Sequence, residues 1–128
     1  MNKSKGFTLI EMLIVIAIIG LLSSIVIVGL TGAREEARDS RRVAEIRQIQ
    51  NLLELNYSSN TGYPDSLPAS AQTEDPQGKS YIYETTNNGF GYALGICIET
   101  DSIKSGTGVT CPSNLGNCSV GSYCVNNQ

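Results

Sequence analysis

Apolar residues run almost unbroken from Phe7 to Leu30, in the string FTLIEMLIVIAIIGLLSSIVIVGL, and the pattern then changes character twice. At 24 residues the run is about 36 Å long as a helix, against a hydrocarbon core of about 30 Å, so it predicts a helix able to cross a membrane. Past Gly32 charges dominate, yet Val43, Ile46, Ile49, Leu52 and Leu53 recur at spacings of three and four. That spacing predicts that the helix continues to about residue 58 with one apolar stripe. Residues 59–79 hold Gly62, Pro64, Pro68, Pro76 and Gly78 and predict a connecting loop. Residues 80–86 and 90–99 then predict two strands around the hairpin turn Asn87-Asn88-Gly89. Alternation puts Tyr92, Leu94, Ile96 and Ile98 on the face suited to cover the helical stripe, with Ala93, Gly95 and Cys97 on the other. A third strand is expected at 121–125, which completes an α+β reading: one long N-terminal helix packed on a small antiparallel sheet.

Charge gives this pattern a direction. Lys3 and Lys5 precede the run, whereas the remainder carries seven basic and twelve acidic residues, for a net charge of −3. The excess of positive charge on the short side keeps the N-terminus cytoplasmic and sends the bulk of the chain across. A cleavable secretory signal would have a shorter apolar region, and Ser23, Ser24, Gly29 and Ala33 offer it only a weak cleavage site. No basic surface suggests a nucleic-acid partner. The absence of His removes the usual general base and the commonest zinc ligand, so the composition argues against an enzyme. In the charged part of the helix Arg41 with Glu45, and Glu35 with Arg38, stand at pairing distance, each worth a few tenths of a kcal/mol. The whole charge run reads as a solvated face, and the tyrosines as packing residues.

Two groups of residues carry chemistry. Cys97, Cys111, Cys118 and Cys124 lie in a segment rich in Gly, Ser and Asn, which favours disulfides formed outside the cytoplasm. Three pairings are open; the preferred one joins Cys97 to Cys124, tying two strands, and Cys111 to Cys118, closing the turn CPSNLGNC. A four-cysteine zinc site is the rival, but the spacing lacks the close C-x₂-C knuckle. The second group is Glu11, a carboxylate inside the apolar run. At a bilayer centre it would cost about 2.5 to 3.5 kcal/mol, less near the interface. Either it reaches headgroups and water from one turn inside the edge, or it pairs with a cation: Lys3, Lys5, or a new α-amine made by cutting the chain.

The string Lys5-Gly6-Phe7-Thr8-Leu9-Ile10-Glu11, followed by the apolar run, resembles the class III signal of type IV pilins and pseudopilins. In that family a prepilin peptidase cuts after the glycine and the new N-terminal residue is usually methylated. The resemblance implies cleavage between Gly6 and Phe7, an N-methylated amine on Phe7, and an assembly role for Glu11, whose carboxylate would meet the amine of its own or a neighbouring subunit. It implies a pilin fold divided into a leader (1–6), a transmembrane or filament-core helix (7–30), an amphipathic half packing on the head (31–58), the connecting loop (59–79) and a cysteine-bearing β head (80–128). The function implied is that of a structural subunit, first a single-pass inner-membrane protein surrounded by lipid, then part of a surface filament. Its partners would be copies of itself, the peptidase, and an assembly platform with its ATPase, with no cofactor. A type II secretion pseudopilin or a DNA-uptake pilus subunit is the alternative within the family; a membrane-anchored extracellular binding domain that never polymerises is the alternative outside it.

The chain departs from the family in two places. A proline common in the middle of the helix is replaced by Val28, leaving Gly20, Gly29 and Gly32 as points of local bending or of close helix contact. Gly62-Tyr63-Pro64 and Asp75-Pro76-Gln77-Gly78 resemble segments of pilins and major pseudopilins, but Gln77 stands where many pseudopilins have Trp. That difference and the four cysteines lean toward a pilin. Those pseudopilins often bind calcium in the C-terminal loop, where Glu99 and Asp101 are the candidate ligands here, although their spacing matches no calcium loop and no metal site is assigned.

Overall fold

The computed structural model describes residues 6–127. Lys3 and Lys5, the expected leader charges, lie outside the described residues. A helix, α1, spans Leu9–Leu55, and three strands follow: β1 (Ile82–Thr86), β2 (Gly91–Ile98) and β3 (Gly121–Asn127). The chain divides into two compact units, one ending at Arg34 and one beginning at Glu35. One long N-terminal helix, a three-stranded antiparallel sheet in the order β1-β2-β3 and two C-terminal disulfides fit the pilin fold.

The second unit is built as the apolar periodicities require. Ile46, Ile49 and Leu53 of α1 are fully buried against Tyr92, Leu94 and Ile96 of β2, with Tyr63, Ala71 and Tyr81 closing the cluster. Val43 and Leu52, at the borders of the stripe, are half-buried. Helix α1 ends three residues before the expected position because Asn56 turns back on it. Its Nδ2 donates to the carbonyl of Leu52 at 2.7 Å, satisfying an acceptor that the helix leaves unpaired. Tyr63, Tyr81 and Tyr83 are packing residues whose hydroxyls find partners: Tyr63 donates to Glu54 at 3.0 Å, Tyr83 donates to the Pro64 carbonyl at 2.7 Å, and Tyr81 donates to Glu45.

Sheet register decides the cysteine pairing, and it overturns the preferred one. Cys124 lies opposite Gly95, and Cys97 opposite Ser122, so Cys97 and Cys124 are diagonal neighbours two positions out of line. Diagonal positions stand about 7 to 8 Å apart, beyond the usual reach of a disulfide. Each strand cysteine instead bonds a cysteine from the loop that crosses the outer face: Cys97 to Cys118 and Cys111 to Cys124, both with Cα atoms 5.3 Å apart. Gly95 makes room for the second bridge, because a Cβ there would lie 2.8 Å from the Cys124 sulfur. The same loop covers the outer edge of β3: the Cys124 amide donates to Ser105 Oγ at 2.8 Å, and that hydroxyl donates to the Ser122 carbonyl at 3.4 Å.

The connecting loop is stitched to the hairpin tip at Gly62. Tyr63 N donates to the Gly89 carbonyl at 2.7 Å, while Ser58 and Gly62 exchange backbone hydrogen bonds at 3.0 and 2.7 Å. Gly62 has φ +78°, and a Cβ there would sit 2.1 Å from the Gly89 oxygen. Gly62→Ala is therefore expected to destabilise the head by about 1 to 2 kcal/mol for the left-handed backbone and about 1 to 3 kcal/mol for the overlap. Urea unfolding of the full chain in detergent, followed by tyrosine fluorescence, measures this; a loss below about 0.5 kcal/mol would refute the contact.

Candidate functional site

The N-terminal unit places the residues of the expected processing and assembly site in order. Gly6 and Phe7 precede the helix and are exposed, Phe7 at 84%. Thr8 and Glu11 then form a reciprocal cap: Glu11 N donates to Thr8 Oγ1 at 3.3 Å, and Thr8 N and Oγ1 both donate to Glu11 Oε2 at 2.8 Å. This is the capping box T-x-x-E, which satisfies two amides that a helix start leaves orphaned. Its signal, Thr8-Leu9-Ile10-Glu11, is present in the sequence, where the same carboxylate also reads as a misfit in the apolar run. The carboxylate thus has an intrachain partner besides the lipid headgroup or cation expected for it, and it sits where the helix dipole favours a negative charge.

Every apolar side chain of α1 named among the exposed hydrophobics, from Leu9 through Leu30, faces outward, most of them more than half exposed. The helix is long and apolar enough to cross a membrane by length and composition. Such a surface in water is unfavourable on every side, so it requires lipid or other apolar helices around it. Gly20, Gly29 and Gly32 have no atoms within 4 Å of a built Cβ, so none of them serves a close contact within the chain. Ser24, one of the two serines that interrupt the run, donates its hydroxyl to the Leu21 carbonyl at 2.7 Å and so is not itself an unpaired donor.

The charged part of α1 departs most from expectation. Asp39 and Arg42, read as part of a solvated face, are 0% and 1% exposed. The Arg42 guanidinium donates to Asp75 Oδ2 at 2.7 Å, Asp39 Oδ1 at 2.7 Å and Gln77 Oε1 at 2.8 Å, and its Nη2 lies 2.7 Å from Glu99 Oε1. Asp39 in turn accepts from the amides of Glu99 and Thr100 at 3.0 and 2.8 Å and from the Thr100 hydroxyl at 2.9 Å. Asp75 closes its own turn by accepting from Gln77 N and Lys79 N at 2.9 and 2.8 Å. One guanidinium therefore ties three segments together: the helix, the Asp75-Pro76-Gln77-Gly78 turn and the exit from β2. Gln77, the departure from the Trp-bearing pattern, is a hydrogen-bonding member of that tie.

The expected pairs divide accordingly. Arg41 does meet Glu45, at 2.8 Å, but Arg38 reaches across to Glu99 at 3.2 Å rather than to Glu35. Glu99, one of the two calcium candidates, is thereby committed to two guanidinium groups, and Asp101 is exposed. Among the described residues no group of three His, Cys, Asp or Glu side chains is placed to hold a metal ion. All four cysteines are joined in disulfides, which leaves no thiolates for the rival zinc site.

Comparison with known proteins bears mainly on the N-terminal half. The model of the prokaryotic N-terminal methylation motif matches residues 1–27. Type II secretion system core protein G of Escherichia coli (strain K12) is 40% identical over 63 residues, 49% of this chain and 43% of the relative. The protein of the same name from Aeromonas hydrophila is 34% identical over 86 residues, 62% of this chain and 59% of the relative. A type IV wide pilus major component, PilA4 of Thermus thermophilus, is 39% identical over 69 residues, 54% of this chain and 53% of the relative. The chain spans about half the length of the curated relatives it matches. No solved structure matches it.

Two predictions follow from the Arg42 tie. Arg42→Met leaves Asp39 and Asp75 buried without their cation and is expected to cost about 3 to 5 kcal/mol in urea unfolding; a loss below about 1 kcal/mol would sink the tie. The second concerns acid. Hydrogen bonds from Arg38, opposed by partial burial and reinforced by Arg42, hold the Glu99 carboxyl at about 2. Burial pushes Asp39 and Asp75 up, but amide donors, Arg42 and, for Asp39, the Thr100 hydroxyl outweigh it and both end below their ordinary range. All three titrate lower folded than unfolded, where carboxyls protonate near pH 4. Their stabilisation is complete above about pH 5 and is lost as pH falls from about 4 through about 2, Glu99 alone giving up roughly 2 kcal/mol after allowance for its partial exposure. Urea midpoints measured from pH 7 to pH 2 test this, and a curve that falls between pH 7 and pH 5 would contradict it.

Proposed function

We propose that this chain, a member of the type IV pilin and pseudopilin family, is a structural subunit of a pilus or pseudopilus filament. The observation that carries the reading is the methylation motif, with its Gly6-Phe7 bond exposed just ahead of a capped helix on which the large apolar side chains described between Leu9 and Leu30 are exposed. In the proposed sequence of events the helix first sits in the membrane with the head outside the cytoplasm. A prepilin peptidase cuts after Gly6, Phe7 is N-methylated, and the helices leave lipid to pack against one another. An assembly platform and its ATPase drive that transfer. No catalytic step is assigned to the chain.

The cut changes the electrostatics of the site. A free α-amine titrates near 7.7 to 8, so on Phe7 it is largely cationic at neutral pH. It stands four residues before Glu11, whose carboxylate already accepts from Thr8. In lipid that cap keeps the acid satisfied within one chain; in a filament the second carboxylate oxygen is available to a neighbour's amine, which sets the axial register. The cost of an unpaired acid in an apolar surrounding falls in both states.

Matches over the N-terminal half to type II secretion system core protein G favour a second reading, a secretion pseudopilus, over the cell-surface pilus suggested by the cysteines and by Gln77. The two readings share processing and polymerisation and differ in the machinery that the filament serves. Mass spectrometry of the mature protein is expected to find an N-methylated Phe7, with the chain in sheared filaments. A mature chain that begins at Met1 and cross-links only as monomers would make it an anchored binding domain instead. Glu11→Ala is expected to lower filament yield at least tenfold while the membrane-bound amount stays unchanged; equal yield would remove the register role.

A further inference from the structure

The two disulfides interleave. Cys97–Cys118 and Cys111–Cys124 each skip over one cysteine of the other pair. We propose that the head reaches this pairing through a second protein, an extracytoplasmic dithiol disulfide isomerase, as an obligatory folding partner. This rests on the placement of the head outside the cytoplasm given above.

Three features of the chain work against unaided pairing. A chain crossing with its N-terminus held back delivers the cysteines in the order Cys97, Cys111, Cys118, Cys124, so consecutive partners meet first and neither native pair is consecutive. Loop closure points the same way. Cys118 is separated from Cys111 by about a third of the 21 residues that separate it from Cys97, an advantage of roughly fivefold by the three-halves power of loop length. The sheet also arrives too late to guide the choice, because Cys124 belongs to β3, the last strand to emerge, and is fully buried once paired.

Correction from within is blocked by arithmetic. The chain has four cysteines, and once two wrong bridges exist no thiol remains to begin exchange. An external thiolate is required. Oxidation itself passes four electrons and four protons from the four thiols to an extracytoplasmic dithiol oxidase. From the pairs Cys111–Cys118 and Cys97–Cys124, the isomerase thiolate attacks the Cys111 sulfur, breaks that bridge and frees the Cys118 thiolate. Cys118 attacks Cys97, forming Cys97–Cys118 and freeing the Cys124 thiolate. Cys124 attacks Cys111 in the mixed disulfide, forming Cys111–Cys124 and returning the isomerase thiolate. No net oxidation or reduction occurs in the exchange.

The test compares the full chain expressed in two strains with an intact extracytoplasmic oxidase, one with and one without a disulfide isomerase. Free thiols are blocked, the protein is digested without reduction by trypsin and chymotrypsin, which cut after Lys104, Leu115 and Tyr123, and the linked peptides are identified by mass spectrometry. The expected result is the Cys97–Cys118 and Cys111–Cys124 pair with isomerase, and at least a fivefold loss of it, replaced by pairings that contain a bridge between consecutive cysteines, without. A double variant, Cys111→Ser with Cys124→Ser, has one possible bridge and is expected to form it equally in both strains. Native pairing at equal yield in both strains overturns the isomerase and leaves the placement of the head intact. Four free thiols in both strains overturn the placement and the isomerase together.

Discussion

The head depends on one buried cation. Arg42 meets acids from its own helix, from the turn before β1 and from the chain leaving β2, so removing it would leave carboxylates in a place where only a partner makes them tolerable. The apolar stripe of α1 gives the sheet something to cover, but apolar contact has no direction. Hydrogen bonds to a planar guanidinium do, and they fix where the two loops end relative to the helix. The helix thus carries its packing residues at positions 46, 49 and 53 and its alignment residues one to two turns earlier.

The same economy governs the apolar half. A polar group in a membrane-length apolar segment is costly unless it is satisfied locally, and Glu11 and Ser24 are: Glu11 by the amide and hydroxyl of Thr8, and Ser24 by the carbonyl of Leu21. Glu11 is satisfied at the end of its helix, where both bonds from Thr8 fall on Oε2, and under the proposed function the other oxygen is the one offered to a neighbour. A residue that looks like an error in a membrane span is, in this position, a helix cap, and under the proposed function it lets one helix live in two surroundings.

What could be read from the sequence follows from the range of each interaction. The membrane-length run, the helical stripe and the strand alternation are local patterns, and the structure reproduces them within a few residues. Tyr92, Leu94 and Ile96 lie on the predicted face, and the turn at Asn87–Gly89 is where the hairpin signal put it. The Arg42 cluster was not legible, because Asp39 and Arg42 look the same in a sequence whether water or protein surrounds them, and their partners Asp75 and Glu99 lie far along the chain. The cysteine pairing failed for a related reason. It depends on a register offset of two positions between β2 and β3, which no local pattern of the loop specifies. The capping box is local and legible, since Thr8 and Glu11 stand three residues apart at the start of the apolar run.

Ser105 is a small feature with a wider consequence. By occupying the Cys124 amide and the Ser122 carbonyl, its hydroxyl takes up hydrogen-bonding groups that an edge strand would otherwise offer to any extended chain. Under the proposed function, subunits crowded in a membrane before polymerisation would meet one another head to head at high local concentration. A head with an open strand would then have two ways to join its neighbours, and only one of them builds a filament. A serine that occupies two groups on the outer edge of β3 removes part of that alternative, and under the proposed function it helps make the head a passenger of assembly rather than a competitor to it.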